Sequence, residues 1–207
     1  MSFIINPYLV EPSSSCATAV QGVTTDYGTG TTGFFYVPFY GLYDYGEVAS
    51  LYPQSLIGAA KQVTGVSTFM AGYTTPYTFS NVEIWMAHTA SNEFPSGTTV
   101  GYPTLGLTNL TQCYSGPFSV TTNNAWKSVT FNVNNFCYNG TSNIVVIFKN
   151  FDGSWTSGYG TARMTIQSAN PVGQQYRVVD VSQDTTYPAN GSSMTRAQYY
   201  LNIRLAY

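Results

Sequence analysis

Short runs in which apolar and polar residues alternate follow one another along most of the chain, separated by Gly, Pro, Asn and Ser. A period of two puts successive side chains on opposite faces of a strand, so the pattern predicts β-strands. The clearest run is residues 81–88, where Val82, Ile84, Met86 and His88 share one face and Glu83, Trp85 and Ala87 the other. Residues 143–149 read NIVVIFK, a continuous apolar run of strand length, as expected of a central strand covered on both faces. Further strands are predicted over residues 33–38, 63–70, 111–114, 126–133, 163–167, 176–181 and 199–205. Asn139-Gly140 and Asn190-Gly191 mark turns because both residue types accept positive φ. The first is expected to join the strand before Cys137 to NIVVIFK. Residues 53–60, PQSLIGAA, leave a short helix open. The chain has no repeat of propeller or solenoid period and no heptad stretch.

Composition sharpens this picture. Only 8% of the 207 residues are charged, against roughly 25% in an ordinary soluble domain. Eighteen Tyr and twelve Phe beside nineteen Gly and ten Pro favour strands joined by tight turns. The expected fold is all-β: an antiparallel, jelly-roll-like β-sandwich over residues 26–207, preceded by an extended N-terminal arm over residues 1–25. Ile84, Val145, Ile147 and Ile203 are expected to point between its two sheets. A net charge of −2 with seven Lys and Arg leaves too few cations to neutralise a row of phosphates, so nucleic acid is not an expected partner. No stretch has the ~20 apolar residues of a membrane span, and no membrane insertion is expected. The opening MSFIINPYLVEPSSSC lacks the features of a secretory signal, which implies synthesis in a cytoplasm. Cys16, Cys113 and Cys137 have no metal-type spacing. Cys113 and Cys137 are read either as two buried free thiols or as a pair, should their strands adjoin.

Candidate chemistry is sparse. His88 is the sole histidine, so any nucleophile and base pair would have to be built around it. It sits in a strand pattern that suits a structural role. Glu83 and Glu93 are the only carboxylates considered for a glycosidase pair, and both read as solvated surface groups. Asp152-Gly153-Ser154 suits an Asx turn better than a calcium loop. Asp26 and Asp44 stand without ligand-type spacing. No catalytic residue, metal or cofactor is expected. Exposed aromatics carry more information, since Tyr and Trp stack on sugar rings or on another subunit. The loops YGLYDYG (40–46) and FDGSWTSGYG (151–160) supply Tyr40, Tyr43, Tyr45, Trp155 and Tyr159 as candidate contacts to a glycan or a partner. In the arm, Phe3, Ile4, Ile5, Tyr8 and Leu9 are too apolar for a free tail and are expected to dock on a larger assembly, the alternative being a strand that completes this domain's own sheet.

From residue 26 onwards the motifs YGTGTTGFFYVPFYGLYDYGEVASLYPQSLIG, VTGVSTFMAG, FSNVEIWMAHTASNEF, LTQCYSGPFSV, AWKSVTFN, FCYNGTSNIVVIFKNFDGSW and QYYLNIRLAY follow in order. The series resembles a β-sandwich module of surface and adhesin proteins of Bacteroidetes-type bacteria, akin to cleaved-adhesin and lamin-tail-like sandwiches. That resemblance implies a carbohydrate-binding or adhesive role and supplies no catalytic residues. The opening MSFIINPY is similar to the starts of tailed-phage virion proteins. Together these imply a non-enzymatic virion structural protein, a capsid decoration or a tail or neck protein, displayed on the virion surface after synthesis in the host cytoplasm. Its expected partners are other virion proteins, in an oligomeric assembly, and a host cell-surface glycan. The alternative is a carbohydrate-binding or adhesion module of a secreted bacterial surface protein.

Overall fold

A computed structural model of the chain describes residues 22–34, 37–71, 75–121, 124–156, 162–166 and 175–207. Its first strands are β1 (Thr24–Tyr27), β2 (Thr32–Phe34), β3 (Tyr45–Tyr52), β4 (Lys61–Val63), β5 (Gly65–Met70), β6 (Tyr77–Thr89) and β7 (Thr108–Val120). There follow β8 (Ala125–Thr130), β9 (Phe136–Tyr138), β10 (Asn143–Asn150), β11 (Ala162–Ile166), β12 (Val178–Gln183), β13 (Thr195–Ala197), β14 (Tyr199–Leu201) and β15 (Ile203–Ala206). One helical turn, α1 (Gln54–Ile57), interrupts them, so PQSLIGAA supplies a single turn. The result is an antiparallel β-sandwich. One sheet runs β1-β15-β5-β11-β14, with β2 beside β11 and β8 beside β5. The other runs β13-β12-β3-β10-β6-β7, and β4 and β9 form a small ribbon.

The sequence pattern accounts for the packing. Tyr27, Val66, Met70, Leu201, Ile203 and Leu205 of the first sheet and Val48, Tyr52, Ile84, Met86, Ile144, Val146 and Phe148 of the second meet in one buried core. Burying each such side chain contributes roughly 1.5–3 kcal/mol before chain entropy is counted. β10 alternates as its continuous apolar run requires: Ile144, Val146 and Phe148 face this core, and Val145 and Ile147 face the other way. Ile84 and Ile203 thus lie between the sheets as expected, whereas Val145 and Ile147 do not. They are buried under the 94–107 connection between β6 and β7, whose Phe94, Val100, Tyr102 and Leu105 cover the outer face of the second sheet with Met194. That cover is stitched down by Val100 N–H to Ser192 O at 2.9 Å and Met194 N–H to Thr98 O at 3.1 Å.

The Asn139-Gly140 turn joins β9, which carries Cys137, to β10 as expected, although the two strands do not pair with each other: β9 pairs with β4, and β10 with β3 and β6. Gly140 holds φ +77° with its α-carbon against Ala60, where a Cβ would stand 2.5 Å from the backbone nitrogen. Residues 24 and 25, assigned to the arm, belong to β1, which pairs with the C-terminal β15. The cysteines are neither a pair nor two free thiols: Cys113 is buried and free, and Cys137 is disulfide-bonded. Burial pushes the Cys113 thiol up to about 12, which makes it a packed apolar group instead of a nucleophile. Phe3, Ile4, Ile5, Tyr8, Leu9 and Cys16 lie outside the described residues.

Candidate functional site

The loops carrying the aromatic candidates, about 110 positions apart in sequence, adjoin in the fold. Phe39 anchors the first: it is buried against Phe118, Phe79 and Phe148 at centroid distances of 5.0, 5.1 and 5.9 Å. With Phe39 fixed in the core, the chain must leave it, and Tyr43 N–H closes a turn on Tyr40 O at 3.2 Å. The second loop follows β10 and is braced by Asp152. That carboxylate accepts Tyr77 O–H at 2.5 Å, Ser80 N–H at 2.6 Å and the Ser80 hydroxyl. Asn150 Oδ1 accepts Asp152 N–H at 2.9 Å, so the Asx turn here is headed by Asn150 over residues 150–152 and not by Asp152, whose carboxylate is taken up by the Tyr77 and Ser80 donors. The loops are then joined by backbone: Gly153 N–H to Asp44 O at 3.0 Å and Thr156 N–H to Gly41 O at 2.6 Å. Asn150 Nδ2 adds a third bond to Asp44 O at 3.3 Å. A site held by main-chain bonds from two strands' ends is pre-organised.

This arrangement brings Tyr40, Tyr43 and Trp155 together. Tyr40 and Tyr43 lie 5.2 Å apart, centroid to centroid, at 52°. Trp155 is 61% exposed, far more than a side chain used for packing. Tyr45, half-buried like Tyr40 and Tyr43, packs on the second loop. Its hydroxyl lies against Gly153, which holds φ +66° and has no room for a Cβ without approaching that oxygen to 3.2 Å. Tyr159 is outside the described residues.

Two open clefts flank Tyr43. One, of about 480 Å³, is lined by Leu42, Tyr43, Asp44, Trp155 and Asp184. The other, of about 430 Å³, is lined by Tyr40, Tyr43, Asp180, Val181, Ser182, Ser193 and Thr195. Both fall in the ~300–1,000 Å³ range of small-ligand sites. Three carboxylates face them, and no described lining residue is cationic. Oδ1 of Asp44 and Oδ1 of Asp180 are buried without a hydrogen-bond partner among the described residues. Burial pushes the Asp180 carboxyl up to about 6, since an unpaired charge is disfavoured away from water. Asp180 and Asp184 are not among the candidates that the sequence pattern yields. A signal exists: in the predicted strand at 176–181, Asp180 falls on the same parity as Val178, and an acid on a core-facing parity is unusual.

The other candidate acids are spent on structure. His88 is buried between Phe136 and Tyr138, 4.8 and 5.9 Å from their ring centres. Its Nε2 accepts Asn139 N–H at 3.2 Å, and its Nδ1 lies 3.3 Å from the Asn109 amide. Burial lowers its pKa, so it is a neutral packing group. Glu83 is not simply solvated: it is half-buried and accepts Trp85 Nε1–H at 2.8 Å. Glu93 accepts Tyr176 N–H at 3.2 Å. On the outer face of the second sheet, register places Glu47, Lys149 and Glu83 side by side on β3, β10 and β6. Glu47 is 1% exposed. It accepts Tyr102 O–H at 2.5 Å and the Tyr187 hydroxyl, with Lys149 Nζ 3.7 Å away. Burial, then the neighbouring Glu47 charge, raises both phenols' pKa values. Among the described residues no three His, Cys, Asp or Glu side chains group as metal ligands. No protein family model, curated protein or solved structure matches the chain.

Proposed function

We propose that this chain is a non-enzymatic display module of a virion surface, a capsid decoration or a tail or neck protein, that meets its target through the joined loop end. The observation that supports the reading is the backbone pairing of the 40–44 and 151–156 loops, which holds half-buried Tyr40 and Tyr43 in the same loop end as exposed Trp155. Rigid aromatics offer large contact area at low entropy cost, and the sandwich behind them provides a stiff mount. The low charge of the chain fits contacts that depend little on salt. The resemblance to adhesin sandwiches supports the same use. Mass spectrometry of purified virions tests the location: abundant full-length copies are expected, and their absence removes the virion reading. A second reading, a carbohydrate-binding module of a secreted bacterial surface protein, draws support from the disulfide at Cys137, because such bonds persist mainly outside reducing cytosol. Recovery of the chain only as part of a larger secreted protein would favour that second reading.

A further inference from the structure

We propose that the two clefts on either side of Tyr43 form one track with two subsites for neighbouring rings of an uncharged glycan, with Trp155 stacking on one ring and Asp180 accepting hydroxyl hydrogens from the next. The inference rests on the loop end being the contact surface and adds the ligand class and the division of labour. Tyr43 lines both clefts, so the two adjoin at this side chain, and the proposed ligand crosses it. The first cleft is lined by exposed Trp155 and Leu42, together with Tyr43, Asp44 and Asp184. A flat, exposed indole suits the apolar face of a pyranose ring, as aromatic side chains suit other apolar surfaces. The second cleft is different in kind. Apart from Val181, its walls are the phenols of Tyr40 and Tyr43, the hydroxyls of Ser182, Ser193 and Thr195, and the Asp180 carboxylate. Hydroxyl side chains both donate and accept, which matches a polyol whose own hydroxyls do the same.

Charge narrows the class. Three carboxylates without a described cation repel sialylated, sulfated or uronic glycans, and rejection by like charge is a strong selector. A basic ligand would fit the charge but not the second cleft, where one carboxylate stands among neutral hydroxyls. Asp180 lines this cleft, where its carboxylate accepts from a ligand hydroxyl, while its Oδ1 is shut away from solvent without a hydrogen-bond partner among the described residues. Its raised pKa further implies that binding weakens as the carboxylate is protonated below about pH 6.

The test is an array of neutral gluco-, manno- and galacto-configured mono-, di- and tetrasaccharides and their sialylated and sulfated counterparts, probed with the full chain at pH 7.5. Expected is binding to neutral oligosaccharides alone, at least about tenfold tighter for two rings than for one, with Asp180→Asn weakening it by about tenfold. Equal binding of acidic glycans, or an Asp180→Asn chain that binds the neutral ones unchanged, overturns the proposal. So does a silent array. If wild-type chain still attaches to cells in that last case and Trp155→Ala does not, only the glycan inference has failed. If Trp155→Ala attaches as well as wild type, the loop end is not the contact surface and both fall.

Discussion

Two clusters of aromatic residues and carboxylates sit within one loop of each other, and they differ in how their acids are satisfied. Around Glu47, the chain supplies the partners: two phenols donate to it, Lys149 lies 3.7 Å away, and Trp85 donates to neighbouring Glu83. Around Tyr43, the described residues supply few: Asp44 and Asp180 each keep a buried oxygen without a bond among them, and Trp155 stands open to solvent. Phe151, stacked on Tyr187 at 4.2 Å, joins the two, so the closed cluster buttresses the open loop. Composition alone does not separate them. An acid whose hydrogen bonds are all internal holds a fold together, and one left unsatisfied is a cost that persists where something else completes it.

Breaking the closed cluster should have the largest effect on stability. Glu47→Ala leaves Lys149 and two buried hydroxyls without their acceptor, and about 3–5 kcal/mol should be lost. That corresponds to a fall of roughly 10 °C or more in melting temperature by calorimetry. A loss under about 1 kcal/mol, the range of an exposed ion pair, would mean that the network is ornamental.

Asp180 should behave in the opposite sense. Its carboxyl stands at about 6 when folded against 3.8 ordinarily, so the folded chain holds this proton longer than the unfolded chain. Stability from this group therefore falls as pH rises from about 4 to about 6 and is flat above. The cost at pH 8 is on the order of 2–3 kcal/mol. Asp180→Asn should recover about that much at pH 8 and nothing near pH 3.5, as read from melting curves at the two pH values. An equal shift at both pH values would show that the charge is not the cause.

Asp152→Ala removes the acceptor of Tyr77 and Ser80 and should cost about 1–3 kcal/mol. Because Asp152 positions the second loop, attachment should weaken more than stability does, and amide exchange of Gly153 and Thr156 should speed up. Trp155→Ala should have the smallest effect on stability, within about 0.5 kcal/mol, while it abolishes attachment. A large drop in melting temperature would instead make Trp155 a packing residue.

The sequence pattern makes the sandwich legible wherever one face of a strand is apolar and the other polar. β6 and β10 are readable from alternation and from a continuous apolar run. β3 is not, although it is central to the second sheet. Its segment YGEVASLY carries Gly46, Glu47 and Ser50, and the last two are polar residues buried by partners from distant positions. Local pattern cannot reveal a glutamate whose donors lie 55 and 140 residues away. The inward assignment of Val145 and Ile147 errs for a related reason: a strand buried on both faces does not say which face meets which layer. Of the site, Tyr40, Tyr43 and Trp155 are legible because aromatic, Gly-rich loops are uncommon. Asp180 and Asp184 are less so, because what distinguishes Asp180 is a buried oxygen without a partner among the described residues and what distinguishes Asp184 is its place beside Trp155, and both are properties of the assembled fold.

Intrinsic fluorescence tests the central claim most directly, because Trp155 is exposed while Trp85 and Trp126 are half-buried. Titrating the full chain with neutral tetrasaccharides should change the emission saturably in wild type and leave it unchanged in Trp155→Ala, with both proteins melting at the same temperature. A wild-type signal that stays flat, or one that survives in Trp155→Ala, would contradict the assignment of the open cluster as the working surface.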